Sequence, residues 1–241
     1  MLPPPLPSLP PSPVRLRDLL LLAVLVVVSV FAIPLVITIF APETDFSGLP
    51  VVVGLFVGQS VLMLFFTWLA VLRPHGLSFA DIGLRPTYQA WYRLAVALGL
   101  ICMPLVSLVN IGVQTLLGEV IENPQMQALA PEGFSWTSLL LMLALVGVLV
   151  PFIEEVIFRG LLLGWLLKHL RFAYAAPISA VIFSMAHGLP QLMPALAVMG
   201  LILAAIAHRS GSLWPSIIVH GVFNSLMTIT LYAGLAGGEG F

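Results

Sequence analysis

The sequence predicts an all-α protein, a polytopic bundle of transmembrane helices with seven to eight spans and a cytoplasmic N-terminus. Of its 241 residues, 60% are hydrophobic and 8% are charged, whereas soluble domains carry about 25% charged residues. Apolar runs of about 20 residues, the length that crosses a bilayer, recur along the chain. The net charge of −1 and the absence of a basic block exclude nucleic acid as an expected partner.

The chain begins with a proline-rich segment. Residues 1–13 contain seven prolines, a composition that favours an extended, solvated conformation and cannot form a packed core. We therefore expect residues 1–17 to be a disordered cytoplasmic tail. Residues 18–90 are expected to hold the first transmembrane helices and a cytoplasmic loop, residues 91–235 the remaining helices, and residues 236–241 a C-terminal tail.

Seven apolar segments are expected to cross the membrane if each crosses once. They are Leu19–Phe40, Val51–Leu72, Trp91–Leu117, Thr137–Lys168, Ala173–His187, Leu192–Ala207 and Leu213–Ala233. The fourth would be about 48 Å long as a straight helix, and Pro151 is expected to kink it. If it breaks into two crossings, the count becomes eight.

The loop charges predict the orientation, because Lys and Arg concentrate on the cytoplasmic side. In the seven-span arrangement one side carries Arg15, Arg17, Arg73, Arg85, Arg93, Lys168, Arg171 and Arg209. The other side carries only acidic residues, namely Glu43, Asp45, Glu119, Glu122, Glu132 and Glu239. We therefore expect an integral multi-pass protein of a bacterial-type plasma membrane with its N-terminus in the cytoplasm.

The run from Pro151 to Gly160 places three ionisable side chains in an apolar segment. Each charge at mid-membrane costs about 2.5–3.5 kcal/mol on insertion scales. Glu155 and Arg159 are four residues apart on one helix face, which favours a structural ion pair. Glu154 has no opposite charge at helical spacing, so it is a candidate general base.

Two later segments also place polar side chains at apolar depth. Phe183 and His187 share one helix face, as do His220 and Asn224. Each pair alone could serve as an interhelical hydrogen-bonding group. Together with the carboxylates they favour a functional site, because ionisable groups inside a membrane mark sites by default.

Five other polar residues have structural interpretations. Asn110 and Gln114, also four apart, are expected to hydrogen-bond between helices. His75, His169 and His208 have basic neighbours and are expected in solvated loops.

The three motifs together carry a resemblance to a known family. Glu154-Glu155-x-x-x-Arg159, Phe183-x-x-x-His187 and His220-x-x-x-Asn224, in this order and spacing, resemble the motifs of the CPBP family, which comprises CAAX proteases and bacteriocin-processing enzymes and is also called Abi. The matching region runs from about Trp91 to Tyr232. The resemblance implies that residues 91–235 form an intramembrane protease core.

The resemblance also implies an activity. It implies an endopeptidase of the type that removes the C-terminal tripeptide from prenylated CAAX proteins, with a peptide or lipidated protein as substrate and membrane lipid around it. Glu154 is similar to the glutamate that activates water, assisted by His187. His220 and Asn224 match the residues that stabilise the oxyanion, and Phe183 belongs to the pocket.

A metal-dependent reaction is the mechanistic alternative. Glu154, His187 and His220 could together ligate zinc, as carboxylate and imidazole do in catalytic sites. The sequence lacks HExxH, and the resemblance favours a glutamate mechanism without a cofactor.

Two non-peptidase functions use the same residues. A transporter or proton relay could move protons along buried Glu and His groups, although the sequence shows no inverted repeat. A non-catalytic immunity or scaffold protein could keep the same fold.

The seven-span arrangement leaves one geometric problem. His187 falls at the outer end of its helix, whereas His220 lies a few residues inside the cytoplasmic end of its own. A shared pocket requires Gly188–Gln191 to dip into the membrane or these helices to tilt strongly.

Overall fold

The computed structural model describes residues 14–46, 48–118, 129–130 and 133–237. The helices are α1 (Leu16–Phe40), α2 (Leu49–His75), α3 (Gln89–Leu117), α4 (Trp136–His169), α5 (Phe172–Ala186), α6 (Pro190–Ser210) and α7 (Leu213–Ala236). The described residues contain no strand. Six of the helices are long and apolar enough to cross a membrane, and only α5 is shorter. The predicted all-α bundle is confirmed, and the chain is an integral multi-pass membrane protein.

Two expectations from the sequence concern residues outside the described ranges. The prolines of residues 1–13 lie outside the described residues, as do the loop acids Glu119, Glu122, Glu132 and Glu239. The proline-rich tail and most of the acidic side of the charge pattern therefore remain predictions.

Helix α4 is one continuous helix of 34 residues, so the alternative in which it breaks into two crossings is not adopted. Pro151 lies between two wider, π-helical stretches, Leu145–Leu149 and Val156–Leu163. A proline removes one main-chain donor and its ring crowds the carbonyl four residues back. Because a wide turn directly precedes Pro151, the helix continues through it.

The helix ends that carry basic residues meet at one end of the bundle. His75 at the end of α2 lies 2.6 Å from the Asp18 carboxylate at the start of α1. Phe172 at the start of α5 stacks on His208 near the end of α6, with ring centres 4.3 Å apart. The expectation that His75 and His208 are merely solvated is therefore wrong, since both are packed, whereas His169 is exposed.

Helices α1 and α2 form a hairpin beside the other helices. Gln59 of α2 donates a hydrogen bond to the Ser29 hydroxyl of α1 at 2.9 Å, a bond that links two helices where water is scarce. Phe31 and Phe40 of α1 are 71% and 83% exposed. Most of α1 therefore faces outward, as expected for a helix surrounded by lipid.

Two glycines let the other helices approach closely. A Cβ at Gly221 of α7 would lie 2.5 Å from the Gly147 carbonyl oxygen of α4, and a Cβ at Gly200 of α6 would lie 2.9 Å from Ala180 Cα of α5. Small residues allow such contacts between membrane helices. The first contact brings α4 and α7 together beside their ionisable residues.

Candidate active site

A cavity of about 430 Å³ lies among α3, α4, α5, α6 and α7, with Phe56 of α2 at its wall. Its lining includes the following side chains singled out from the sequence: Glu154, Phe183, His187, His220 and Asn224. The structure therefore brings together residues that are up to 70 positions apart in the chain.

His220 lies between two carboxylates. Its Nδ1 is 3.3 Å from Glu155 Oε1, and its Nε2 is 3.6 Å from Glu154 Oε2. The side chain of Glu155 is fully buried, whereas that of Glu154 is 18% exposed. His220 thus connects the buried carboxylate to the one that reaches the cavity.

The ion pair expected from the spacing is present in the structure. Arg159 Nη1 lies 2.8 Å from Glu155 Oε1, and both side chains are fully buried. Arg159 Nη2 also donates to the Gly200 carbonyl of α6 at 3.2 Å, and the guanidinium lies 4.3 Å from the centre of the Phe183 ring. A buried pair needs such additional partners to offset its desolvation. The pair also orients His220 through Glu155.

Phe183 supports the two histidines. The centre of its ring lies 4.8 Å from that of His187 and 5.8 Å from that of His220, both edge to face. His187 Nδ1 lies 2.9 Å from the Phe183 carbonyl oxygen. A carbonyl only accepts, so Nδ1 carries the proton in this bond and Nε2 of the neutral ring is left as an acceptor.

The side-chain amide of Asn224 is held by an irregular turn of α4. The Val150 N–H donates to the Leu145 carbonyl, five residues back, and Pro151 has no N–H to donate. Neither residue therefore bonds the Val146 carbonyl, and Asn224 Nδ2 donates to it at 3.1 Å. An amide nitrogen has two N–H groups, so one remains for a ligand in the cavity.

The length of α5 and the buried start of α7 explain how His187 and His220 can line the same cavity, although the seven-span arrangement places them near opposite ends of their helices. It has 15 residues, or about 22 Å, against a hydrocarbon core of about 30 Å. His187 directly follows its end and lines the cavity, as does Leu192 beyond the largely exposed Gly188–Gln191 connection. Helix α7 begins at Leu213, which is fully buried and donates to the Gly83 carbonyl at 2.8 Å. His220 consequently lies deeper than its position in the chain suggests.

Sequence reasoning missed part of the cavity wall. Ser107, Asn110 and Gln114 of α3 also line the cavity. Asn110 Oδ1 is buried and has no hydrogen-bond partner in the described part of the chain, so this oxygen does not make the interhelical bond expected from the sequence. The spacing of i, i+3 and i+7, which places all three on one helix face, was the available signal.

The zinc alternative concerns three side chains of the cavity. Glu154, His187 and His220 line the same cavity. Over the ranges that the structure describes, no group of three His, Cys, Asp or Glu side chains is arranged to hold a metal ion.

Comparison with known proteins matches the part of the chain that builds the site. Residues 136–226 match the family model described as type II CAAX prenyl endopeptidase Rce1-like. A similar protein is "Putative membrane peptidase YdiL" of Bacillus subtilis (strain 168), 30% identical over 89 residues. These cover 37% of this chain and 36% of the relative, so the match spans about a third of the relative's length. No solved structure matches.

All three motifs fall inside the matched residues. Glu154 to Arg159 lies on α4, Phe183 to His187 ends α5, and His220 to Asn224 lies on α7. The resemblance seen in the motifs and the family match thus identify the same residues. Residues 136–226 are thus similar to the Rce1-like CAAX prenyl endopeptidases, the same group of proteins that the three motifs resemble.

Proposed function

We propose that the protein is a membrane-embedded peptidase of the CAAX-protease type, in which Glu154 activates a water that hydrolyses a peptide bond of a membrane-associated substrate. One observation carries the proposal. The Glu154 carboxylate is 18% exposed within a bundle cavity, and its Oε2 lies 3.6 Å from His220 Nε2. The Rce1-like family and the peptidase name of the relative support the same reaction.

The first chemical step uses Glu154 and His187. A water in the cavity gives one proton to the Glu154 carboxylate while its oxygen attacks the carbonyl carbon of the scissile bond. His187 Nε2, which is the acceptor nitrogen when Nδ1 bonds Phe183, orients this water. The product of the step is a tetrahedral intermediate with a negative oxygen.

Asn224 and His220 stabilise that oxygen. The second N–H of Asn224 donates to it, because the first is engaged by the Val146 carbonyl. His220 donates from Nε2 when the ring carries both protons, and Glu155 holds the ring through Nδ1. Donors already in position when charge develops are usually a large part of catalysis.

The second step breaks the carbon–nitrogen bond. The intermediate collapses to a carboxylic acid, and Glu154 returns its proton to the leaving nitrogen, which departs as an amine. The glutamate ends as the carboxylate with which it began. The substrate is a peptide or a lipidated protein, as the similarity to type II CAAX prenyl endopeptidases suggests.

Replacing Glu154 by Gln tests the proposal. The variant keeps the shape of the side chain but removes the base, so we expect cleavage to fall by about 100- to 10,000-fold, with unchanged membrane insertion. The measurement is mass spectrometry of peptide termini in membranes that contain either protein. Glu43→Gln, an identical change in an exposed loop, should cleave like the wild type. Wild-type turnover by Glu154→Gln would refute the mechanism.

Chelation tests the choice between glutamate and zinc. Purified enzyme is dialysed exhaustively against a chelator, its metal content is measured by elemental analysis, and its activity is assayed. We expect activity to persist because the proposed base is a carboxylate. Loss of activity that only zinc restores would assign Glu154, His187 and His220 as ligands instead.

A further inference from the structure

The polar face of α3 suggests how the substrate is held. We infer that Ser107, Asn110 and Gln114, which line the same cavity as Glu154, bind the main chain of an extended peptide segment of the substrate. This inference rests on the peptidase function proposed above and names the residues that hold the main chain of the substrate.

Asn110 provides the first argument. Its Oδ1 is buried without a hydrogen-bond partner in the described ranges. Buried polar atoms are bonded in the great majority of cases, so an unpaired one calls for an explanation. A peptide N–H that enters the cavity would satisfy this oxygen.

The chemistry of the three side chains provides the second argument. Asparagine and glutamine each carry a carbonyl acceptor and an NH2 donor, and serine carries a hydroxyl that does both. These groups match the N–H and C=O of a peptide bond whatever the side chains are. From residue 107 to residue 114 a helix rises about 10 Å, the length of about three residues of extended chain.

The test uses farnesylated, internally quenched CAAX peptides as probes and the full-length protein in detergent. Asn110→Leu and Gln114→Leu keep the size of each side chain and remove its hydrogen bonds. We expect KM to rise roughly two- to tenfold in each variant, the range for one neutral hydrogen bond, with kcat unchanged. Leu108→Ala serves as the control on the same helix, because Leu108 is 65% exposed away from the core.

Ester substitution in the peptide separates binding from a structural role. Replacing one amide by an ester removes a single N–H from the substrate. For the wild type, KM should rise at the ester that faces Asn110, and for Asn110→Leu the same ester should cause no further rise. A side chain that only supports the fold would not show this coupling.

The inference would be overturned if KM were unchanged in both Asn110→Leu and Gln114→Leu. It would also be overturned if Leu108→Ala raised KM as much as they do.

If the wild type cleaves none of the probes, their dissociation constants are measured by fluorescence polarisation instead, and binding that is independent of Asn110 and Gln114 overturns the inference. Failure of the proposed function has a different signature, namely cleavage by Glu154→Gln at the wild-type rate.

Discussion

Glu155 and Glu154 differ in what surrounds them, and this difference separates their roles. Glu155 is fully buried and is engaged by Arg159 at 2.8 Å, so its charge is already compensated. Glu154 is partly exposed in the cavity, and no Lys or Arg forms an ion pair with it in the described part of the chain. The adjacent glutamates thus divide into one that positions His220 and one that is available to act on water.

Variants of the buried pair separate stability from positioning. Glu155→Gln leaves the Arg159 charge uncompensated at 0% exposure, and we expect a loss of about 3–5 kcal/mol in unfolding free energy. The double variant Glu155→Met with Arg159→Met removes both charges and should recover most of that stability, since apolar replacement of a buried pair is often neutral. Its activity should stay low, because His220 loses the partner of Nδ1. Thermal unfolding in detergent and peptide cleavage measure the two effects, and a double variant with wild-type activity would contradict the positioning role.

At the scale of elements, the site depends on how α4 meets α7. The π-helical stretch Leu145–Leu149 and Pro151 free the Val146 carbonyl, and Asn224 of α7 bonds it. Next to this bond the helices touch through Gly147 and Gly221. The irregular turn and the glycine contact therefore set the position of Asn224 together.

A methyl group at the glycine contact should separate these helices. In Gly221→Ala the new Cβ would lie 2.5 Å from the Gly147 carbonyl oxygen, so main chain must move. Because misplacement of a catalytic group by about 1 Å can cost about 100-fold in rate, we expect a loss of that order together with lower thermal stability.

Gly112→Ala is the matched control for this change. Nothing lies within 4 Å of a Cβ at Gly112, and Ala is favoured over Gly in a helix by about 1 kcal/mol. This variant should be as active as the wild type and equally or more stable. Equal losses of activity in Gly221→Ala and Gly112→Ala would contradict a role for the Gly147–Gly221 contact in positioning Asn224.

At the scale of the molecule, the sequence allowed the spans to be predicted because each is a continuous apolar run. The bounds differ by a few residues, as between Val51–Leu72 in the prediction and Leu49–His75 in the structure. The bond from Asn224 to Val146 could not be predicted, since it depends on a π turn that has no signature in the sequence. The polar face of α3 was misinterpreted because spacing alone does not distinguish a helix contact from a cavity wall.

The orientation of the bundle in the membrane is a prediction that thiol labelling can test, because the protein has a single, buried cysteine. The protein has a single cysteine, Cys102, which is 2% exposed, so it should give little background with a membrane-impermeant thiol reagent. Because the helix ends with basic residues share one end of the bundle, Arg171→Cys and Arg209→Cys should react only after the cells are opened. Gly133→Cys, in the turn that precedes α4, should react in intact cells. Labelling of Arg171→Cys and Arg209→Cys in intact cells would show that the predicted orientation is reversed.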